Sequence, residues 1–209
     1  MKMEETNNTE LRRHIIETAE KAFHQQGIKA VTMDNIAHML SMSKRTLYQV
    51  FRDKEDLLLA CAKKRQEEEH QFIEQAMGET DNVLEIILKL FKMSLDDVRH
   101  VNPKFFVEMN KYPNIVAYHR EMSKKHGKEG VAFMKKGIEQ GIFKENINFE
   151  IVVPFMQRKI DMLIDEEIFN GFNIMEIFVN TIMVMLRGCC TEKGIGMIDC
   201  FMEDWNVSA

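Results

Sequence analysis

Glycine and proline are scarce in this chain, at 10 and 3 of 209 residues, and only 9% of residues are aromatic. Met, Leu, Ile, Glu and Lys dominate instead, so the composition argues for an all-helical protein. No apolar run reaches the ~18 residues needed to cross a bilayer, and the N-terminus is polar rather than signal-like. Both absences point to a cytoplasmic protein with no membrane partner. The four cysteines, Cys61, Cys189, Cys190 and Cys200, form no Cys-x-x-Cys pair, and adjacent Cys189 and Cys190 are poor disulfide partners. They read as reduced, mostly buried thiols, with a redox or metal sensor built on Cys189, Cys190 and Cys200 as the alternative. The sequence has no nucleophile elbow, phosphate-binding glycine loop or His-Glu-x-x-His metal motif. Neither an enzyme nor a cofactor is therefore expected. His119 and His126, seven apart, could share a helical face, but no carboxylate partner stands out and no metal site is assigned.

What is present is apolar material for a sizeable core, 45% of the residues, and an uneven distribution of charge. The net charge of −5 hides an asymmetry. Residues 1–66 carry 12 Lys/Arg against 9 Asp/Glu, whereas the remainder carries 16 against 24. A basic head on an acidic body concentrates phosphate attraction at one end and discourages the rest of the chain from adhering to nucleic acid.

Within that head, residues 32–51 read as two short amphipathic helices, 33–40 and 43–51, separated by a tight turn. Met33, Ile36, Ala37 and Leu40 recur at helical spacing, as do Leu47, Val50 and Phe51. Burying those faces leaves Lys44, Arg45, Thr46, Tyr48 and Gln49 on the solvent side of the second helix. Arg and Lys reach guanine O6/N7 or phosphate, Gln pairs with adenine, and Thr and Tyr hydroxyls bond phosphate oxygens. Thr32 and Ser43 are plausible N-caps. A third helix upstream, about 10–26, carries Ile15, Ile16, Ala19, Ala22 and Phe23 at the same period and stops at Gly27. Met1 to Asn8 lacks a core pattern and is expected to be a loose arm. The candidate DNA-binding residues are Thr32, Ser43, Lys44, Arg45, Thr46, Tyr48, Gln49 and Lys54, with Arg45 and Gln49 assigned to base edges. Lys54 opens a fourth helix, whose free N–H groups and positive dipole end suit a phosphate.

The run from Ile15 to Leu58 resembles the N-terminal domain of the TetR family of bacterial transcriptional regulators. The resemblance rests on Ala22-Phe23 with Gly27, Val31-Thr32 with Ile36-Ala37, Ser43-Lys44-Arg45-Thr46-Leu47-Tyr48, Phe51, and Lys54-Glu55-Asp56-Leu57-Leu58. It covers roughly the first quarter to third of the chain. Ser41 stands where the family usually carries glycine, so a left-handed turn there would cost on the order of 1–2 kcal/mol. The resemblance implies a three-helix helix-turn-helix domain over residues 1–52 and a larger helical effector-binding and dimerisation domain over residues 53–209. It supports Tyr48 and Lys54 as backbone anchors. It also implies a homodimeric regulator, usually a repressor, that leaves a pseudo-palindromic operator when a small molecule binds. The alternative is a DNA-binding protein of the same fold controlled by a protein partner or by its own abundance.

Beyond the head, helices are expected over about 53–77, 83–98, 104–111, 114–140, 149–169, 173–190 and 196–205. Asp53 to Asp56 resembles a capping box for the first of these. The span from Val83 to Phe169 is rich in Met and Phe, and Phe105, Met109, Met122, Phe133, Met156 and Arg158 are candidate lining residues for a small hydrophobic or amphipathic effector. Asn110, Tyr112, His119 and Asp161 could help orient it. From Ile174 to Leu186 only Glu176, Asn180 and Thr181 interrupt the apolar residues, so that helix must be covered on more than one side. Ile151, Phe155, Phe178, Ile182, Met185 and Leu186 are therefore candidate dimer-interface residues.

Overall fold

The computed structural model describes residues 2–157 and 172–208, and among them every regular element is an α-helix. The one extended pairing there is an isolated bridge between Phe143 and Cys190. The helices are α1 (Lys2–Gln26), α2 (Met33–Met39), α3 (Lys44–Val50), α4 (Lys54–Glu79) and α5 (Val83–Arg99), followed by α6 (Pro103–Met109), α7 (Pro113–Glu139), α8 (Phe149–Gln157), α9 (Ile174–Cys189) and α10 (Glu192–Ser208). Two packing units emerge. The first joins Met1–Glu68 to His100–His119, and the second joins Glu69–Arg99 to Arg120–Ala209. The functional division expected after residue 52 thus lies inside the first packing unit, which reaches well past the helix-turn-helix.

Local rules set the early helix ends. Thr32 caps α2 with a reciprocal box, in which its Oγ1 accepts from Asn35 N–H at 3.1 Å and its own N–H donates to Asn35 Oδ1 at 2.9 Å. Ser43 caps α3 by accepting from Thr46 N–H at 3.1 Å. At the start of α4, Asp53 Oδ1 accepts from Asp56 N–H at 2.8 Å, and Asp56 Oδ2 accepts from Arg52 N–H at 3.1 Å. The Asp53 carboxyl is held below the usual range, first by the Asp56 N–H and then by the Arg52 guanidinium.

Three boundaries depart from the sequence reading. The expected loose arm is helical from Lys2, in keeping with the helix-forming Lys, Met and Glu that open it. Gly78 does not end α4, which continues to Glu79. The last helix begins at Glu192 rather than near Gly196. Gly194 sits inside its first turn because a Cβ there would lie 2.7 Å from the Ile142 carbonyl oxygen. That close approach belongs to a joint in which Thr191 N–H donates to Ile142 O at 2.9 Å and Lys144 N–H donates to Cys189 O at 2.9 Å. The helix expected over 149–169 is seen as α8, and its continuation lies outside the described residues.

In the first unit, Ile15, Phe23, Ile36, Leu47, Phe51 and Leu57 are completely buried in one cluster. Each such side chain contributes roughly 1.5–3 kcal/mol by leaving water. The second unit has its own cluster, built on Val83, Leu84, Phe91 and Leu95 of α5 with Phe143, Phe149, Ile182, Leu186 and Ile198.

The turn between α2 and α3 contains the expected left-handed residue. Ser41 has φ +52°, and it is the one non-glycine residue with positive φ among those described. Ser41 N–H donates to His38 O and Met42 N–H to Ala37 O, each at 3.0 Å, closing the helix end in the double-bonded manner that usually employs glycine. Ser41→Gly should relieve about 1–2 kcal/mol of crowding while adding about 0.5–1 kcal/mol of chain entropy to the unfolded state. The net expectation is a rise of a few degrees in calorimetric Tm, with Ser41→Val moving it down. An unchanged or lower Tm for Ser41→Gly would contradict the strain.

Candidate nucleic-acid interface

The recognition surface follows from the burial of Leu47 and Phe51, both at 0% exposure. With those residues held in the core, Lys44, Arg45, Tyr48 and Gln49 are exposed on the opposite side of α3, and the large Tyr48 ring is half accessible. Lys44 pairs with Asp34 of α2, and both side chains are more than half exposed. A cation in the first turn of a helix opposes its dipole, and the Asp34 carboxylate offsets that cost. Such an exposed pair is weak, so a phosphate can replace Asp34 without a large penalty.

The hydroxyls are less available than the sequence suggests. Thr32 Oγ1 also donates to Asn35 Oδ1 at 2.6 Å, so its proton is committed to the cap. Ser43 Oγ and Thr46 Oγ1 lie 2.8 Å apart and share one hydrogen bond, leaving a single hydroxyl proton between them for a phosphate oxygen. Lys54 departs further from expectation. Its ammonium donates to the carbonyl oxygens of Ile28 at 2.9 Å and Val31 at 3.0 Å, bracing the loop between α1 and α2. Burial lowers its pKa, with the Glu108 carboxylate acting in the other direction. One of its three protons remains for a phosphate.

Two residues absent from the sequence reading help fix this surface. Arg12 of α1 donates from Nη1 to Val50 O at 3.3 Å, and its guanidinium lies 4.3 Å from the centre of the Phe51 ring. It therefore satisfies a carbonyl at the C-terminal end of α3 and covers the residue that anchors it. Glu108 of α6 accepts from Lys29 N–H at 2.6 Å. No spacing rule links either residue to its partner, because the partners lie 38 and 79 positions away in sequence.

The proposed effector residues divide between the two packing units. Phe105 and Met109 belong to the core of the first unit, where the Phe105 ring meets His24 edge-on at 4.7 Å and Phe106 at 5.5 Å. Tyr112 packs against the same core, and Asn110 is exposed nearby in sequence. Phe133 and Met156 instead pack against the core of the second unit, and Met122 is half-buried in that unit. Arg158 and Asp161 lie outside the described residues.

The dimer-interface residues also divide. Ile182 and Leu186 are 6% and 1% exposed within their own subunit, so they are core residues and not a free face. Among the described residues of α9, the exposed ones are instead Glu176, Asn180, Val184 and Gly188, each four positions from the last. Met185 is half-buried, and the Phe178 side chain lies outside the described residues. Ile151 and Phe155 of α8 are 70% and 50% exposed, and Val184 of α9 is 70% exposed.

The described cysteines are free thiols, and burial pushes Cys61 up to about 12 and Cys190 up to about 11. Both therefore stay protonated and unreactive near neutrality. His126 does have a carboxylate partner, Glu129, at 3.0 Å, contrary to the sequence reading. Among the described residues no group of three His, Cys, Asp or Glu could hold a metal ion, and no helix is long and apolar enough to cross a membrane.

Three helices packed on one core, the third with an exposed cationic face, form a helix-turn-helix unit. Residues 15–61 match the family described as bacterial regulatory proteins, tetR family. The HTH-type transcriptional repressor KstR2 of Mycobacterium tuberculosis is 22% identical over 151 residues, 70% of this chain and 76% of that protein. A putative transcriptional regulator from Saccharomonospora viridis, solved in complex with choline, has a TM-score of 0.68 at 18% identity, covering 88% of this chain and 100% of that one. The fatty acid degradation regulator FadR from Bacillus halodurans has a TM-score of 0.63 at 17% identity, covering 84% and 94%. These relatives are regulators, and the chain is a DNA-binding regulator rather than an enzyme.

Arg45→Ala or Gln49→Ala should lose roughly 1–3 kcal/mol of discrimination at one defined base position while leaving other positions alone. Lys54→Ala should weaken all sequences alike and lower Tm, because leaving the Ile28 and Val31 carbonyls without their donor costs about 1 kcal/mol or more. Selection of random duplexes by each variant, paired with calorimetry, reads both effects. Unaltered base preference in both Arg45→Ala and Gln49→Ala would remove them from the base-reading role.

Proposed function

We propose that this regulator is a homodimeric repressor that binds a pseudo-palindromic operator and releases it when a small apolar or amphipathic molecule enters the C-terminal helical domain. The observation that carries the reading is the α3 face itself. Arg45, Tyr48 and Gln49 are exposed on a helix whose other side is locked by Leu47 and Phe51. A single seven-residue helix covers only one half-site, so tight and selective binding calls for two copies at a spacing set by the protein.

The exposed Ile151, Phe155 and Val184 support the second copy. Covering these side chains removes apolar area worth roughly 25 cal/mol per Å², before association costs are subtracted. The effector class is supported by the methionines of the second unit, where Met134 and Met183 are buried and Met156, Met175, Met197 and Met202 pack around them. Flexible thioether side chains accommodate varied apolar shapes. The names of the relatives agree. A solved KstR2 is described as a ketosteroid transcriptional regulator and FadR as a regulator of fatty acid degradation, while the Saccharomonospora protein was crystallised with choline. Release follows from a population shift. The effector prefers a conformation whose recognition helices no longer match the half-sites, and its differential affinity limits the response.

Val184→Asp, alone and combined with Ile151→Asp, tests the assembly without touching the core. Sedimentation of the unmodified protein should give a dimer at micromolar concentration. The charged variants should sediment as folded monomers with operator affinity reduced at least tenfold. Ile182→Asp serves as the contrasting case, since a carboxylate at that buried site should unfold the subunit. A monomeric unmodified protein would refute the palindromic operator. In parallel, a thermal-shift screen with steroids, acyl chains and amphipathic amines should find a stabilising class that also lowers DNA affinity. Stabilisation by none of them would favour control by a protein partner or by abundance.

A further inference from the structure

The loop from Gly27 to Val31 carries the chain out of α1 and delivers it to Thr32, the cap of α2. Every bond that fixes this loop therefore helps set where the helix-turn-helix begins. Two charged side chains grip it. The Lys54 ammonium holds the carbonyl oxygens of Ile28 and Val31, and the Glu108 carboxylate holds the Lys29 N–H at 2.6 Å. Gly27 makes the second grip possible. Its φ of +83° turns the chain, and a Cβ there would sit 3.1 Å from Glu108 Oε2 and 3.3 Å from Lys104 Cβ.

Glu108 differs from Lys54 in its origin. It lies on α6, inside His100–His119, the stretch beyond residue 68 that packs in the same unit as the helix-turn-helix. The rest of that stretch is tied down close by. Asn102 N–H donates to His24 O at 2.7 Å and Asn102 Nδ2 to Gln25 O at 3.3 Å, so the start of α6 is bonded to the end of α1. Asn114 N–H donates to Glu55 Oε1 at 3.1 Å, which bonds the start of α7 to the start of α4. Those contacts join helix to helix. Glu108 alone among them reaches the loop that leads into α2.

We infer that Glu108 is a positioning residue for operator recognition, its carboxylate clamping the Lys29 N–H opposite the Lys54 ammonium so that α2 and α3 are presented in one fixed orientation. The clamp deepens the proposed function, since a shift of α6 would open it and blur the fit of α3 to its half-site. The effect falls on discrimination rather than on general attraction to DNA, because neither Glu108 nor Lys29 N–H lies on the exposed face of α3. A charged acceptor makes the bond stronger than a neutral one, which gives the glutamine variant an intermediate behaviour.

The test uses the full-length protein and its Glu108→Ala and Glu108→Gln variants. Amide hydrogen exchange at Lys29 is read on the free protein. Affinity is measured for the duplex that the unmodified protein selects from a random pool and for a scrambled duplex of equal length. In Glu108→Ala, Lys29 exchange should accelerate at least tenfold and affinity for the selected duplex should fall about tenfold, with scrambled-duplex affinity and its salt dependence unchanged. Glu108→Gln, whose side-chain oxygen still accepts, should recover part of both losses and show a two- to fivefold change. Wild-type values for Glu108→Ala, or an equal loss on both duplexes, would overturn the clamp. If the alanine variant does not fold, glutamine decides, and wild-type exchange and discrimination in it would overturn the clamp as well. Exchange at Lys29 requires neither a dimer nor an effector, so failure of the homodimeric, ligand-released reading leaves this result separately interpretable.

Discussion

Everything that lets this chain meet DNA depends on the burial of one side of a seven-residue helix. Alone in water a helix of that length does not persist, because nucleation costs more than a single turn of hydrogen bonds returns. The α3 helix persists because Leu47 and Phe51 are wholly enclosed with Ile15, Phe23, Ile36 and Leu57. Removal of a ring as large as Phe51 would cost about 3–5 kcal/mol, a large share of the stability of an ordinary domain. The same burial orients the opposite face, so stability and recognition are two consequences of one packing event. Arg12 strengthens the link by covering the Phe51 ring while bonding the Val50 carbonyl.

The polar residues around that helix are divided between holding the motif and presenting it. Thr32, Ser43 and Asp53 spend their side chains on helix starts, and Lys54 spends two of its three protons on the loop before α2. Arg45, Tyr48 and Gln49 remain exposed. A residue type that can contact phosphate is therefore an incomplete guide to role, since a hydroxyl or ammonium already satisfied by backbone groups has fewer protons to offer. The caps also explain why a strained Ser41 is tolerated. Both flanking helices are closed by strong local bonds and anchored by core residues, so one crowded residue does not reopen the turn.

Legibility in the sequence followed the range of the interactions. Period and capping are local, so the ends of α2 and α3 and the stop at Gly27 could be read from neighbouring residues, whereas the left-handed turn at Ser41 came from the family resemblance. Contacts between distant segments left no such trace. Lys54 could be placed at the head of a helix, but its bonds to Ile28 and Val31, more than 20 positions back, could not. Phe105 and Met109, read as pocket lining from composition, lie against and within the core of the first unit. On α9 the apolar residues outnumber those needed for one face, so periodicity could not separate Ile182 and Leu186, which are inward, from Val184, which is outward.

That last ambiguity has a physical origin that also bears on assembly. A helix with an apolar majority on every side shows only a faint outward line, here Glu176, Asn180 and Gly188 at spacings of four and eight. What still distinguishes the two sides is the character of the residues. The inward side of α9 carries Ile182, Met183, Leu186 and Cys189, which fill a core to high density. The exposed side carries Asn180, Val184 and Gly188, spaced four apart, smaller and partly polar. Small residues along one ridge let two helices approach closely, whereas bulky ones suit the irregular interior of a single subunit. The face expected to meet a second copy is thus the less hydrophobic of the two, and its fit depends on shape more than on apolar area. That is the kind of surface a subunit can also expose briefly, without collapsing onto others, before its partner arrives.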